Sequence, residues 1–208
     1  MTLHGYFRST ASYRVRIALN LKGIAYKDAF YHLRRGEQRS DPYLALNPQG
    51  LVPTLVVDGR PLTQSLAICE YLDETIPEPP LLPEGAWDRA KGRALAQVIA
   101  CDIHPIQNLK ILDRLRAVGC DQAAVNDWAK DVIDEGLEAF HALLDTDGPY
   151  CMGDAVTLPD LCLVPQLVNA RRFDVALRWP RLLEIEANCL ALPAFDRARP
   201  ENQPDAES

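Results

Sequence analysis

Apolar and polar positions change rhythm within the first dozen residues. Residues 3–7 read as a short strand. Val15, Ile17, Ala18, Leu19 and Leu21 then return at helical spacing until a Lys22-Gly23 stop, which predicts a helix over 12–22. A second strand is expected over 25–31, followed by a short polar or helical connection and a strand over 54–57. The Asp58-Gly59 turn, a brief strand near Leu62 and a helix from Ser65 to about Thr75 complete a βαβ unit followed by ββα. Pro53 stands at the mouth of the 54–57 strand, where a missing backbone donor is tolerated. A cis bond there would turn the Val52 backbone outward as a free pairing edge.

Between residues 76 and 84 lie four prolines, Pro77, Pro79, Pro80 and Pro83, enough to make a stiff connection. The division expected from this is 1–76, a linker over 77–86, and 87–208. Beyond the linker the helical period dominates. Leu95, Ile99, Ile103 and Ile106 form one stripe, and Val125, Trp128, Val132, Leu137, Phe140 and Leu144 suggest the next helix. Pro105 should kink the first of these, because it removes the bond to the Cys101 carbonyl. Thr157-Leu158-Pro159-Asp160 opens a further helix, with Thr157 as cap, Asp160 as its acidic counterpart, and a body that is apolar almost all round. That helix ends near Arg171-Arg172, and another begins around Pro180, a favoured first-turn residue.

With 208 residues and 48% hydrophobic content, the chain can bury one or two cores. Only the polar stretch 199–208 has a composition that allows disorder. No apolar run is long enough to span a bilayer and no basic-plus-apolar leader is seen, so the expectation is a cytoplasmic protein without membrane partners. The six cysteines show no C-x-x-C spacing and read as buried, reduced thiols. Although the net charge is −7, residues 1–40 carry eight Lys/Arg against only Asp28 and Glu37. These cations lack aromatic interleaving and the rest of the chain would repel phosphates, which argues against nucleic acid; a small anionic ligand fits better, and a solvated basic face fits equally on charge alone.

The candidate chemistry lies where strands hand over to helices. Ser9, Thr10 and Ser12 sit at the first helix start, where free amides and the helix dipole favour an anion; as plain helix caps they need no ligand. Gln64-Ser65 opens a second helix, with Ser65 read as its cap and the same amides open to a carboxylate. His104 and Asn108 are one turn apart and share a face, with Lys110 adding a cation; a surface histidine beside a proline kink is the plainer alternative. No other His or Cys stands at ligand spacing, so a metal site is not expected. Arg171-Arg172 offset the dipole of an apolar helix, yet an arginine such as Arg172 or Arg8 could also fork onto a carboxylate.

Five segments in order resemble the zeta-class glutathione transferases, the family of maleylacetoacetate isomerase. They are Ser9-Thr10-Ala11-Ser12-Tyr13-Arg14-Val15-Arg16-Ile17-Ala18-Leu19, Asn47-Pro48 with Val52-Pro53-Thr54-Leu55, Gln64-Ser65-Leu66-Ala67-Ile68, Gln107-Asn108-Leu109, and Gly153-Asp154 with Asp160-Leu161-Cys162-Leu163-Val164-Pro165-Gln166. The match reaches the Gln203-Pro204-Asp205 tail, and Cys101-Asp102-Ile103-His104-Pro105-Ile106 is similar to the bacterial glutathione-dependent maleylpyruvate isomerases. The resemblance implies an α/β thioredoxin-like N-terminal domain, an all-α C-terminal domain, a glutathione site and a homodimer. It implies that Ser9, with Thr10 and Ser12 nearby, faces the glutathione sulfur, helped by Arg14. Gln38, Val52 and Pro53, Gln64, Ser65, His104, Asn108 and Lys110 would hold the tripeptide, and Arg8 and Arg172, with His104, would meet the carboxylates of a cis-enone diacid. Ala11 stands where family members often carry a cysteine, so any role of that thiol is absent here. Conjugation or dehalogenation of small halo-acids, and a non-catalytic binding module, are the rival readings. A disulfide oxidoreductase is excluded by the hydroxyls in place of paired cysteines.

Overall fold

The computed structural model describes residues 1–207. In its sheet, β1 (Thr2–Gly5) pairs parallel with β2 (Lys27–Phe30) and antiparallel with β3 (Thr54–Val57), which pairs antiparallel with β4 (Arg60–Thr63), in the order β2-β1-β3-β4. Leu3 opposite Leu55 sets the buried face of the two central strands. Around this sheet come α1 (Thr10–Leu21), α2 (Asp41–Leu46) and α3 (Ser65–Thr75), which is the thioredoxin-like βαβ then ββα order. α2 occupies the connection whose polar composition left it open. β1 is shorter than the expected 3–7, because the Tyr6 carbonyl turns to accept the Ser9 amide at 3.0 Å and so leaves the ladder.

α1 is buried from Thr10 to Leu19, two arginines included. Arg16 donates to the carbonyls of Ala198 (3.0 Å), Tyr6 (3.4 Å) and Phe7 (3.1 Å), and burial among neutral acceptors lowers its pKa to about 10. Lys22 ends the helix and donates to Asp73 (2.7 Å) and to the carbonyls of Pro77 (3.2 Å) and Pro79 (2.6 Å), so it fastens the proline stretch to the α3 side.

Contacts divide the chain into two compact units, Met1–Leu81 with Leu190–Ser208, and Leu82–Cys189. The changes from one unit to the other fall at Leu81–Leu82 and at Cys189–Leu190. Residues 199–207 of the tail expected to allow disorder are built into the first unit instead, and Ser208 lies outside the described residues. α9 (Pro193–Ala198) packs on α1, with Asn20 donating to the Ala194 carbonyl at 2.9 Å, and a 3₁₀ turn over Pro200–Asn202 follows. Beyond α9 the polar side chains of Asn202, Gln203 and Asp205 bind backbone groups.

The second unit is all helix: α4 (Ala86–Gln97), α5 (Leu109–Ala117), α6 (Gln122–Leu143), α7 (Leu158–Arg172) and α8 (Pro180–Leu190). Pro105 acts earlier than a simple kink would. The helix widens into a π segment over Val98–Ile103, the His104 amide bonds back to Ile99 at 2.9 Å, and the chain then leaves the axis. Ile106, expected on the apolar stripe, is therefore exposed. On α6 the buried seam is Val125, Ala129, Ile133, Leu137 and Phe140; Trp128, expected within it, lies outward with its indole donating to the Ile106 carbonyl at 3.1 Å. Gly136 lets the π segment come close, since a Cβ there would sit 2.3 Å from Ile103.

The α7 start forms the expected box. The Asp160 carboxylate accepts from the Thr157 amide (2.8 Å), the Thr157 hydroxyl (3.0 Å) and the Cys151 amide (2.9 Å), and burial pushes its pKa up despite these bonds. All six cysteines are free thiols; Cys69, Cys151, Cys162 and Cys189 are buried, but Cys101 is exposed and Cys120 half-buried, so the expectation of burial fails at these two.

Candidate functional site

Two helix starts in the first unit hold most of the polar residues singled out from the sequence. At α1, Ser9 is the extended residue before the first turn, and its Oγ accepts the Ser12 amide at 3.1 Å. Its hydroxyl proton remains to be given elsewhere, and the side chain is half-exposed. Thr10 and Ala11 are buried beside it. Ser12 is turned into the fold: it is fully buried, and a Cβ built on Gly5 of β1 would lie 3.2 Å from its hydroxyl. Of the three hydroxyls expected at the helix mouth, geometry thus leaves Ser9 and Thr10.

The second start corrects the expectation that Ser65 caps α3. Gln64 holds the cap position with φ 71° and no side-chain cap bond, while Ser65 is the first helical residue and its hydroxyl accepts Arg14 Nη1 at 3.1 Å. Arg14, itself almost fully buried, so ties α1 to the start of α3. A glutamine in the left-handed region costs about 1–3 kcal/mol, a strain that persists only where surrounding structure enforces it. Neither first turn carries an acid, so both positive helix ends stay uncompensated by the helices themselves.

Between them runs the 47–53 segment. The Leu51 carbonyl accepts from the Tyr43 hydroxyl (2.5 Å) and Asn47 Nδ2 (2.7 Å), and Asn47 Oδ1 accepts the Gln49 backbone amide at 3.1 Å. Burial pushes the Tyr43 phenol up, which keeps it a donor. The Val52-Pro53 bond is cis and pairing begins at Thr54, so the Val52 backbone stands just outside the ladder. Gln64 Nε2 donates to Gln49 Oε1 at 2.9 Å, joining this segment to α3. Gly50, at φ 60°, closes against the Gln38 carbonyl, where a Cβ would come to 3.1 Å. The Gln38 side chain donates to the Leu33 carbonyl at 3.3 Å, and its Oε1 is buried without a partner. Sequence reasoning missed Tyr43 and Gln49; only the Asn47-Pro48 motif marked the segment they hold.

In the second unit the reading of His104 and Asn108 as one helical face fails. The chain turns over 104–107, and Asn108 is the extended residue that opens α5. Lys110 lies exposed in the first turn of α5. The amide of Asn169 on α7 donates to Gln107 Oε1 at 2.8 Å, a buried bond that fixes the stretch before Asn108. At the end of α7, Arg171 is spent on the Glu186 carboxylate (2.6 Å), and Arg172 is half-buried beside it. Arg8 lies in the turn before α1.

Residues 8–75 match the family described as Glutathione S-transferase, N-terminal domain. A probable maleylacetoacetate isomerase of Vibrio cholerae is 49% identical over 99% of this chain and 98% of its own. A solved holo maleylpyruvate isomerase, described as a bacterial zeta-class glutathione transferase, superposes with a TM-score of 0.97 at 47% identity, covering all of both chains. The maleylacetoacetate isomerase of Methylobacterium extorquens AM1, solved with malonate and glutathione bound, gives a TM-score of 0.96 at 42% identity, again over both whole chains. This likeness over the full length, with the family match over the unit that holds both helix starts, leads to one conclusion: the chain belongs to the zeta-class glutathione transferases, the family of the maleylacetoacetate and maleylpyruvate isomerases.

Proposed function

We propose that this glutathione-dependent isomerase, acting on maleylacetoacetate or maleylpyruvate, divides the work between the hydroxyl end of α1 and the uncapped start of α3. The observation that carries the reading is the α3 start, where strained Gln64 withholds a side-chain cap from helix amides while Arg14 holds Ser65 in place. Such a start suits a carboxylate of the tripeptide, with Gln64 beside it. The Val52 backbone, outside the ladder, is free to pair with a peptide, and the orphaned Gln38 Oε1 marks a further polar contact. Residues present in this chain therefore fit glutathione.

When bound, glutathione supplies a thiolate that adds to a cis carbon-carbon double bond, lets the resulting single bond turn, and is regenerated as the trans product leaves. An unperturbed thiol has a pKa of about 8.5, so the protein has to favour the anion. Ser9 does so by donating its hydroxyl proton while its oxygen keeps the Ser12 amide, with the α1 dipole adding in the same sense. Thr10 lies next to it as the second hydroxyl. Ala11 and Ser12 shape the turn without reaching out of it. Arg8 is a cation able to take a substrate carboxylate and offset the charge that builds up on the conjugated carbonyl; in the second unit Arg172, His104, Asn108 and Lys110 are the groups suited to the same ligands. The working protein is a homodimer.

Loss of the cis-enone absorbance, followed with and without glutathione, tests the activity. Turnover that depends on glutathione while total free thiol stays constant is the expected result. Thiol consumed in step with turnover would instead identify conjugation, and turnover without glutathione would refute the proposal.

A further inference from the structure

The turn that carries Ser9 is held from the far end of the chain. β1 ends at Gly5, so the Phe7 amide has no strand partner, and Phe7 is buried. Its N–H donates to Asp205 Oδ2 at 3.0 Å, across 198 residues of sequence. The neighbouring carbonyls, Tyr6 and Phe7, accept from Arg16, which also binds the Ala198 carbonyl. The Tyr6 carbonyl further accepts the Ser9 amide, which sets the direction in which α1 starts. Asp205 itself is placed by a locked tail. Gln203 Nε2 donates to the carbonyls of Arg197 (2.9 Å) and Arg199 (2.7 Å), and the Ala206 amide bonds back to Gln203 at 3.0 Å. One residue farther, Glu207 meets His32 Nε2 at 3.1 Å and Arg35 at 3.2 Å.

We infer that Asp205 is a positioning residue for the isomerase: its carboxylate fixes the 6–9 turn and thereby the aim of the Ser9 hydroxyl. The inference rests on the role proposed above for Ser9. A carboxylate is suited to the task, because a charge-assisted acceptor is about twice as strong as a neutral one and leaves no buried amide orphaned. The tail is in this sense part of the site, although it touches no reacting atom.

Hydrogen exchange of the full chain without glutathione reads the strap alone. Asp205→Ala is expected to speed exchange over residues 6–13 while leaving α7 protected, and Asp205→Asn, which keeps a neutral acceptor, is expected to fall between it and the parent. With glutathione bound, thiol titration by ultraviolet absorbance should follow the same order, the thiol pKa rising from parent to Asn to Ala. Turnover of Asp205→Ala at neutral pH should fall between about tenfold and a hundredfold, as misplacement of a reacting contact does. A fold held together generically would not move the thiol pKa. Unchanged exchange over 6–13 in either variant overturns the inference, as does faster exchange with an unmoved thiol pKa; the Asn variant decides the matter if the Ala variant fails to fold. Should the parent itself show no acidified thiol, the role given to Ser9 fails, and the exchange data still decide whether Asp205 holds the turn.

Discussion

Replacing Ser9 by alanine removes a cap that the structure shows and a donor that the proposed function requires, and the two can be measured apart. The first is the cap: Ser9 Oγ accepts the Ser12 amide at 3.1 Å, and loss of such a cap costs about 0.5–2 kcal/mol of stability. The second is the proton given to sulfur. A hydrogen bond to a charged group contributes about 1.5–3 kcal/mol, which corresponds to about one to two units in the thiol pKa. At pH below the parent's thiol pKa the thiolate fraction of bound glutathione then drops by about ten- to a hundredfold, and turnover with it. The sign fixes the pH profile: the deficit is greatest at low pH and shrinks as pH rises through the new, higher thiol pKa. Ser9→Thr keeps both the cap and the hydroxyl and should recover most of the loss. Thr10→Ala should cost less turnover, because buried Thr10 does not hold the cap position. Ultraviolet titration of the bound thiol, with turnover measured from pH 6 to 9, is the assay. A larger loss for Thr10→Ala than for Ser9→Ala, or an unmoved thiol pKa in Ser9→Ala, would refute the reasoning.

Gln64→Gly relieves the positive φ and should raise the denaturation midpoint by about 1 kcal/mol equivalent, while raising KM for glutathione through loss of the amide group. Gly136→Ala would press a Cβ to 2.3 Å from Ile103 and is expected to destabilise by about 1–3 kcal/mol in urea, partly recovered by adding Ile103→Val. Asp160→Ala orphans the Cys151 and Thr157 amides and should cost about 3–5 kcal/mol in the same assay. Because burial raises the folded pKa of Asp160, its protonation contributes stability that is present below the ordinary carboxylate pKa and lost as pH rises through the folded value. The deficit of Asp160→Asn relative to the parent should therefore shrink from about pH 4 upward.

Most of the fold was legible because it rests on local periodicity. The 54–57 strand, the Asp58-Gly59 turn and the α3 start are where spacing put them, and the α7 box is visible in Thr157 and Asp160 alone. What failed depended on partners distant in sequence. Trp128 has the spacing of a core residue, yet its indole needs an acceptor and finds the Ile106 carbonyl at the edge of the unit. Residues 199–207 look like a loose tail, because a segment whose side chains bind main-chain groups has no apolar pattern to read. Likewise Ser65 has the sequence of a cap, and only the buried Arg14, 51 residues away, shows why its hydroxyl is not available for that task. The candidate site residues could be named from the sequence as types; which of their oxygens is already in use shows only in the fold.

The proposed function also explains why a hydroxyl rather than a thiol suits the start of α1. A cysteine at a helix start is acidified by the dipole and becomes a nucleophile and a partner for disulfide exchange. Here Ala11 removes that option, and burial pushes the thiols of Cys151 and Cys189 up, so that they stay protonated and shielded. Cys69 and Cys162 are buried in the same way, and exposed Cys101 belongs to a π segment that offers no free helix start. Under the proposed function the electrostatic advantage of the α1 start is thus kept for a sulfur brought from outside. Reversible addition gains from this arrangement, because Ser9 can favour the anion by donating a hydrogen bond without competing with it for the double bond.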